Sequence, residues 1–150
     1  MKKYLAPALI GIFSVAGFWV SSDALKVHYG GEAGALCVVG GNFDCDVVNQ
    51  SIYSQIYGIP FALIGMIGFV LMFVTAALLL WRRDSKEREF LFAALCAMAT
   101  IGLGIQIYLT AIEFFVLKVW CSLCLISQIS ILTITITSWI WRAKSTNLNT

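Results

Sequence analysis

Charged residues are absent from four long stretches of the chain, and short polar segments separate these stretches. The uncharged stretches cover residues 4–22, 47–81, 90–112 and 119–141. A helix needs about 20 apolar residues to cross roughly 30 Å of hydrocarbon, so each stretch is long enough to span a membrane. In the second stretch the span is expected to run from Pro60 to Trp81, because proline suits the first turn of a helix and Gly58 suits the end of a preceding one. The pattern therefore predicts four transmembrane helices.

The composition supports this fold class. The chain has 150 residues, of which 60% are hydrophobic and 12% are charged, whereas soluble proteins carry about 25% charged residues. We therefore expect an all-α integral membrane protein, a four-transmembrane-helix bundle formed by a single domain over residues 1–150. The net charge of +2 gives no reason to expect a nucleic-acid partner.

The basic residues predict the orientation of these helices. With the N-terminus inside, only Lys26 and Lys118 fall on the outer side. The inner side receives Lys2, Lys3, Arg82, Arg83, Lys86, Arg88, Arg142 and Lys144. By the positive-inside rule, both termini are expected in the cytoplasm and the protein in the inner (plasma) membrane. Residues 23–59 then form the one long outer loop, 82–89 an inner turn and 113–118 a short outer turn.

The first span has an alternative interpretation. Residues 1–24 have two lysines directly after Met1, continue with an apolar stretch and end in small residues, as a cleaved secretory signal does. The apolar stretch is longer than the usual 7–15 residues of a signal core, which favours a retained helix.

Four of the five cysteines are expected on the outer side of the membrane. Cys37 and Cys45 lie in the outer loop, and Cys121 and Cys124 form a C-x-x-C motif at the outer mouth of the fourth span. Disulfides persist on that side, so we expect the pairs Cys37–Cys45 and Cys121–Cys124. Cys96 lies seven residues beyond Glu89, about 10 Å from the inner end of its helix at 1.5 Å per residue, and is expected to be a packing residue.

The C-x-x-C motif favours redox chemistry over two alternatives. A purely structural disulfide at a helix mouth would constrain very little chain. A four-cysteine zinc site is disfavoured because C-x₇-C is not a zinc-knuckle spacing. The start of a helix favours thiolate, which is the attacking species in disulfide exchange. Cys121 faces water, and Cys124 lies almost one turn deeper, towards lipid. The dithiol is therefore placed to react with a protein disulfide on the aqueous side and with a lipid-soluble quinone on the membrane side.

The outer loop is expected to carry a short amphipathic helix. Apolar residues recur at helical spacing through "DVVNQSIYSQIYG", which predicts a helix over the mouth of the bundle that ends at Gly58. Asp44 would cap this helix and place Cys45 in its first turn. The glycines around the first cysteine pair would let the loop move between two partners.

The order of these motifs resembles a known family. A loop pair, then "CDVVNQSIYSQIYGIPFALIG", then a C-x-x-C opening the last span is similar to the bacterial vitamin K epoxide reductase homologues over nearly the whole chain. Members are four-helix membrane oxidoreductases that pass electrons between thiols and a quinone. The resemblance implies a ubiquinone- or menaquinone-type quinone and a thioredoxin-fold (DsbA-like) thiol substrate. Because the chain ends shortly after Arg142, we expect that substrate to be a separate secreted protein.

The resemblance also implies roles for the four outer cysteines. Cys124 would face the quinone, with Cys121 as its partner. Cys45 would exchange with Cys121, and Cys37 would meet the thioredoxin-fold protein.

Other polar residues are weaker candidates for the quinone site. Ser51, six residues after Cys45, matches a serine of the family's motif. Gln128 stands one turn after Cys124, where animal members carry a tyrosine. Gln106 and Glu113 are seven residues apart on one face of the third span, where they could line a quinone pocket or relay protons, although an interfacial glutamate near Lys118 is the commoner case. His28 is expected to be a solvated loop residue.

A protein of a different class remains an alternative at this point. A four-span scaffold whose loop cysteines form only structural disulfides would have the same hydrophobic pattern. Such a protein would show no dependence on quinone and would form no mixed disulfide with a soluble protein.

Overall fold

Four long helices form the body of the protein, and a short cap of irregular structure closes one end. The computed structural model describes residues 2–32, 34–37, 40–81 and 85–147. In chain order the elements are α1 (Lys2–His28), α2 (Cys45–Asn49), β1 (Gln55–Ile56), β2 (Ile59–Pro60), α3 (Phe61–Trp81), α4 (Ser85–Ile112) and α5 (Ser122–Asn147). The four long helices are each long and apolar enough to cross a membrane, which confirms the predicted four-helix membrane bundle.

Apolar side chains interlock in the half of the bundle that contains both chain termini, which we call the termini end. The buried residues of this inner core are Ile10, Phe69, Met72, Ala76, Leu79, Phe92, Leu95, Ala99, Ile131 and Ile134. Lipid tails are as apolar as these side chains, so close packing rather than a hydrophobic driving force holds transmembrane helices together. The opposite half, the loop end, contains the cap and four of the five cysteines.

Helix α1 is longer than the hydrophobic pattern predicts, so the expected loop at 23–59 begins later. The helix continues through Asp23 and Lys26, which form an ion pair of 2.7 Å one turn apart. It ends at His28, and Gly30 then takes a φ of +78°, a conformation that glycine adopts without strain. The N–H of Gly31 donates to the Lys26 carbonyl at 2.9 Å. A local charge pair thus extends the helix beyond its apolar stretch.

The ends of α4 and α5 also differ from the prediction. Of the expected inner turn at 82–89, residues 82–84 lie outside the described residues, and α4 begins at Ser85 instead of residue 90. After α4 the chain continues as one wide π-helical turn, Glu113–Leu117, which ends at Lys118 with a φ of +56°. The expected outer turn at 113–118 is therefore mostly helical.

Helix α5 begins at Ser122, three residues later than predicted. Trp120 is extended because it pairs with the outer loop: it forms a parallel bridge with Phe43, and its N–H donates to the Asn42 carbonyl at 2.8 Å. Cys121 is therefore the residue immediately before the helix rather than part of it.

The segment after Cys45 confirms the predicted cap but not the predicted length of the helix. The Asp44 carboxylate accepts the N–H groups of Asp46 and Val47 at 3.0 and 3.1 Å, and Cys45 opens α2. The helix ends at Asn49, so the expectation that it reaches Gly58 is wrong.

Side-chain bonds and a turn replace the rest of that helix. The Ser51 hydroxyl donates to the Val48 carbonyl at 2.8 Å, and residues 52–54 form a single 3₁₀ turn. Strands β1 and β2 then pair as a two-stranded hairpin whose turn is Tyr57-Gly58, with φ of +51° and +82°. Two successive positive φ values suit a tight hairpin turn and are incompatible with a continuing helix.

Candidate functional site

A disulfide joins the two cysteines of the outer loop at the edge of the bundle. Cys37 and Cys45 are bonded, with their Cα atoms 6.1 Å apart. Cys45 is fully buried and Cys37 is half-buried, so the two sulfurs differ in their access to a protein partner. The Cys45 sulfur lies 3.5 Å from the Ser122 hydroxyl in the first turn of α5.

Backbone and side-chain bonds hold this loop against the start of α5. The N–H of Asp44 donates to the Trp120 carbonyl at 3.0 Å, next to the bond from Trp120 to Asn42. On the other side of the disulfide, the Ser122 hydroxyl donates to the Leu36 carbonyl at 2.8 Å. The loop pair and the C-x-x-C motif, more than 70 residues apart in sequence, are thereby brought together.

Cys121 occupies the N-cap position of α5 and uses its sulfur as the cap. The backbone N–H of Cys124 donates to the Cys121 sulfur at 3.3 Å, and the Asn49 side-chain amide donates to the same sulfur at 3.5 Å. A hydrogen bond from the Cys124 thiol, with these N–H bonds, lowers the pKa of Cys121, while burial and the charge of Glu113 act in the opposite direction. The surroundings of Cys121 therefore favour its thiolate.

Cys121 and Cys124 are free thiols in this structure. The disulfide expected between them stays a prediction. A C-x-x-C motif can hold either state, since oxidation joins the two sulfurs by exchange with another disulfide or by loss of two electrons. Cys96 is also free, as expected, and it is buried on α4 at the opposite end of the bundle.

A cavity of about 260 Å³ opens beside Cys124, between the long helices at the loop end. Its wall is mostly apolar, and Cys124 lines it whereas Cys121 does not. Apart from Cys124, the polar side chains in the wall are Ser21, His28, Asn49, Ser51, Tyr53, Ser54, Gln106, Glu113 and Ser127.

The residues expected at a quinone site divide into two groups. Ser51 and Gln106 line the cavity, and the Gln106 amide lies 3.4 Å from the Cys124 carbonyl as a donor. Gln128 is not part of the wall: its side-chain oxygen accepts the Thr110 hydroxyl at 2.8 Å. Although it stands one turn after Cys124, its side chain bonds to Thr110 of α4 instead of lining the cavity.

Glu113 lies at the junction of α4 and the π-helical turn and is only 2% exposed. Its Oε2 accepts the N–H of Cys121 at 3.2 Å, and the Cys124 thiol lies beside the carboxylate. Its Oε1 accepts no hydrogen bond within the described residues. As expected from their spacing, Glu113 and Gln106 face the same space.

Sequence reasoning missed Asn49 and misplaced His28. Asn49 is buried, and its amide bridges the Cys45 carbonyl at 2.9 Å and the Cys121 sulfur. The Asn49 carbonyl in turn lies 2.6 Å from Nδ1 of His28, which is the last residue of α1 and lines the cavity instead of being a solvated loop residue. The usable signal was the spacing: Asn49 follows Cys45 by four residues, so the two share a helix face.

The fold and the cysteines together define a class of protein. Four spanning helices, a loop disulfide and a dithiol beside an apolar cavity are the features of a membrane thiol–disulfide oxidoreductase.

The model of the vitamin K epoxide reductase family matches residues 8–139, and the chain belongs to this family. The match runs from the second turn of α1 to Trp139 in α5 and includes all five cysteines. Comparison with individual curated proteins finds no match.

Proposed function

We propose that the protein transfers electrons from a secreted thioredoxin-fold protein to a membrane quinone, and so supports disulfide bond formation outside the cytoplasm. The observation that carries this proposal is the position of the C-x-x-C motif. Cys124 lines the apolar cavity, while Cys121 lies on the side of the loop that holds the Cys37–Cys45 disulfide.

The cavity suits the head group of a quinone. Its volume of about 260 Å³ is just below the range of roughly 300–1,000 Å³ typical of ligand pockets, as expected for a small head group whose tail extends into lipid. The wall is apolar except for a few convergent polar groups, among them Gln106, Asn49 and Glu113. A bound ubiquinone or menaquinone would supply a two-electron acceptor beside the Cys124 sulfur.

The first exchange takes place between the protein partner and the loop. A thiolate of the reduced thioredoxin-fold protein attacks the half-buried Cys37, and Cys45 leaves as thiolate. The second thiol of the partner then attacks the mixed disulfide, which leaves Cys37 and Cys45 reduced and the partner oxidised. Cys37 is the more accessible of the two sulfurs, which suits it to this role.

The second exchange takes place within the protein. Starting from an oxidised Cys121–Cys124 pair, the Cys45 thiolate attacks Cys121 and releases Cys124. Cys37 then attacks Cys45, which restores the loop disulfide and releases Cys121 as thiolate. The lowered pKa of Cys121 makes it a good leaving group in this last attack.

The test is quinone reduction by purified protein in lipid nanodiscs, with a reduced thioredoxin-fold protein as electron donor. We expect the quinol absorbance change to match the oxidation of the donor, two electrons for each dithiol. The double variant Cys121→Ala, Cys124→Ala should give no reduction above background. A scaffold would reduce no quinone and form no mixed disulfide with the donor, and that outcome would overturn the proposal.

We also propose that the loop end faces the outside of the plasma membrane and that both termini are cytoplasmic. The eight-to-two distribution of basic residues supports this orientation. In intact cells treated with a reductant, a membrane-impermeant thiol reagent should label a single-cysteine variant that retains the half-buried Cys37. A variant that retains Cys96 should not react, and strong labelling of Cys96 from outside would contradict the orientation.

A further inference from the structure

Glu113 is a buried acidic side chain that the thiol exchanges above do not use. It lies within the membrane-spanning part of the chain, is 2% exposed and lines the cavity. Among the described residues, no lysine, arginine or histidine lies within ion-pairing distance of it. An ionisable group without a counter-ion is costly in a membrane, and such a group is retained where it has a function.

The two carboxylate oxygens of Glu113 have different surroundings. Oε2 accepts the N–H of Cys121 at 3.2 Å, which ties the carboxylate to the start of α5. Oε1 has no hydrogen-bond partner within the described part of the chain, although it is buried. The Cys124 thiol lies beside this carboxylate. The Oε1 oxygen of Glu113 can therefore accept a proton, and it belongs to the carboxylate beside the Cys124 thiol, which must lose one.

We propose that Glu113 accepts the proton of the Cys124 thiol and delivers it to the quinone oxygen in the final step of the proposed function, on which this inference rests. In that step the S–H bond of Cys124 breaks and the Cys121–Cys124 bond forms. Two electrons and two protons pass to the quinone, which leaves as quinol. One proton travels through Glu113, which ends the step unchanged, and the other comes from water because Cys121 reacts as a thiolate.

The other polar groups near the cavity do not fit this role. Gln106 donates to the Cys124 carbonyl but cannot carry a proton. His28 lines the same cavity, but its Nδ1 donates to the Asn49 carbonyl at 2.6 Å, and the described side chains include no hydrogen bond between His28 and Cys124. Cys121 is bound to Glu113 through its backbone rather than its sulfur. Glu113 is thus the titratable group that both lines the cavity and contacts Cys124.

The kinetic test compares Glu113→Gln with wild type in a single turnover, with pre-reduced protein mixed with a short-chain quinone. The glutamine keeps an acceptor for the Cys121 N–H but cannot take up a proton. We expect the rate constant for quinone reduction to fall about 10²-fold or more, the range for loss of a general acid–base group. At low pH the wild-type rate should fall because both Glu113 and the Cys121 thiolate become protonated, whereas in Glu113→Gln only the part due to Cys121 should remain.

Two further variants separate proton transfer from structure. Glu113→Asp keeps a carboxylate, so it should recover part of the lost rate. Glu89→Gln removes an exposed acidic group from the other end of the same helix and should leave the rate unchanged. To check folding, each variant should retain the Cys37–Cys45 disulfide and should close Cys121–Cys124 with diamide. Full quinone reduction by Glu113→Gln at every pH would overturn the assignment.

A second measurement needs no quinone. The infrared difference spectrum between the dithiol and the disulfide forms of Cys121–Cys124 should contain a Glu113 carboxylate band, because oxidation removes the Cys124 S–H from beside the carboxylate. The band should disappear in Glu113→Gln and shift in Glu113→Asp. Its absence in wild type, or its persistence in Glu113→Gln, would contradict the assignment. Failure of wild type to reduce any quinone would instead count against the proposed function, which this spectrum does not test.

Discussion

The two ends of the bundle are built differently. At the termini end, the inner core consists of apolar side chains, and the neighbouring buried hydroxyl of Ser138 bonds to the backbone of its own helix at 2.7 Å. At the loop end, the buried groups include Asn49, Glu113 and the Cys121 thiol, and the hydrogen bond from Asn49 to Cys121 joins segments more than 70 residues apart. The backbone there is also irregular, with a π-helical turn and left-handed residues at Tyr57 and Lys118.

The comparison shows that burial alone does not make a cysteine reactive. Cys96 and Cys121 are equally buried, with 1% and 0% of their surface exposed. Cys96 lies on α4 near Arg142, far from any second described cysteine. Cys121 lies at a helix start, receives N–H groups from Cys124 and Asn49, and has a second thiol beside it. Neighbouring hydrogen-bond donors and a second sulfur therefore distinguish the cysteine at the loop end from the one at the termini end.

The largest effect is expected from removal of any cysteine at the loop end. Because the proposed relay is serial, Ala at position 37, 45, 121 or 124 should lower turnover with a thioredoxin-fold donor to background. Cys96→Ser, at the other end, should retain turnover close to wild type. Full turnover by the double variant Cys37→Ala, Cys45→Ala would show that the loop pair is bypassed.

The proposed exchange between the loop pair and the C-x-x-C motif can be stopped at one intermediate disulfide. The double variant Cys37→Ala, Cys124→Ala should trap a Cys45–Cys121 disulfide, because each sulfur lacks its resolving neighbour. Non-reducing peptide mass spectrometry would detect the cross-linked pair. The complementary variant Cys37→Ala, Cys121→Ala should contain no Cys45–Cys124 link, since Cys124 faces the cavity. A link only in the complementary variant would reverse the two roles.

The next effect concerns the termini end and stability. Leu95 is fully buried in the inner core, so Leu95→Ala should lower the free energy of unfolding by about 2–5 kcal/mol through lost packing. Ile140→Ala is the matched control, because Ile140 is 60% exposed and faces away from the core. Denaturation in mixed micelles would measure both. Quinone reduction per folded molecule should not change in either variant, and a large loss in Leu95→Ala would show that the two ends are coupled.

A smaller effect is expected from Asn49. Asn49→Ala removes the amide that donates to the Cys121 sulfur, so the Cys121 thiolate loses one hydrogen bond. A hydrogen bond to a charged group contributes about 1.5–3 kcal/mol, which corresponds to a rate about tenfold lower or more in exchange between the two cysteine pairs. Rapid quenching with alkylation would follow that exchange. The exposed Gln55→Ala should have the wild-type rate, and an unchanged rate in Asn49→Ala would remove Asn49 from the mechanism.

The smallest effect is a shift in the pH at which Cys121 reacts. The hydrogen bond from the Cys124 thiol is the main cause of the lowered pKa of Cys121, and burial opposes it. In Cys124→Ala the pKa of Cys121 should therefore rise, and alkylation should begin at higher pH and be several-fold slower near neutrality. Cys124→Ser, whose hydroxyl can still donate, should shift less. Quantitative mass spectrometry of the Cys121 peptide is the measurement, and a shift to lower pH would contradict the geometry.

Local patterns predicted the helices and part of the cap. The four spans follow from apolar stretches of sufficient length, and Asp44 followed by Cys45 is a recognisable helix start. The pattern failed where a local charge pair extended α1 to His28 and where side-chain bonds of Ser51 and Ser54 ended α2 early. The hydrophobic pattern also predicted a start of α5 that is too early, because the extended conformation of Trp120 depends on pairing with a loop almost 80 residues earlier.

The sequence by itself determined that this is a four-helix membrane protein with two cysteine pairs at one end, because length, hydrophobicity and spacing are properties of neighbouring residues. Only the tertiary structure decided what surrounds each sulfur. The Asn49 amide at Cys121, the Glu113 carboxylate beside Cys124 and the rotation of Gln128 away from the cavity all depend on how distant helices pack. The strength of a hydrogen bond and the cost of a buried charge depend on atoms within a few ångströms, and the fold alone brings those atoms together.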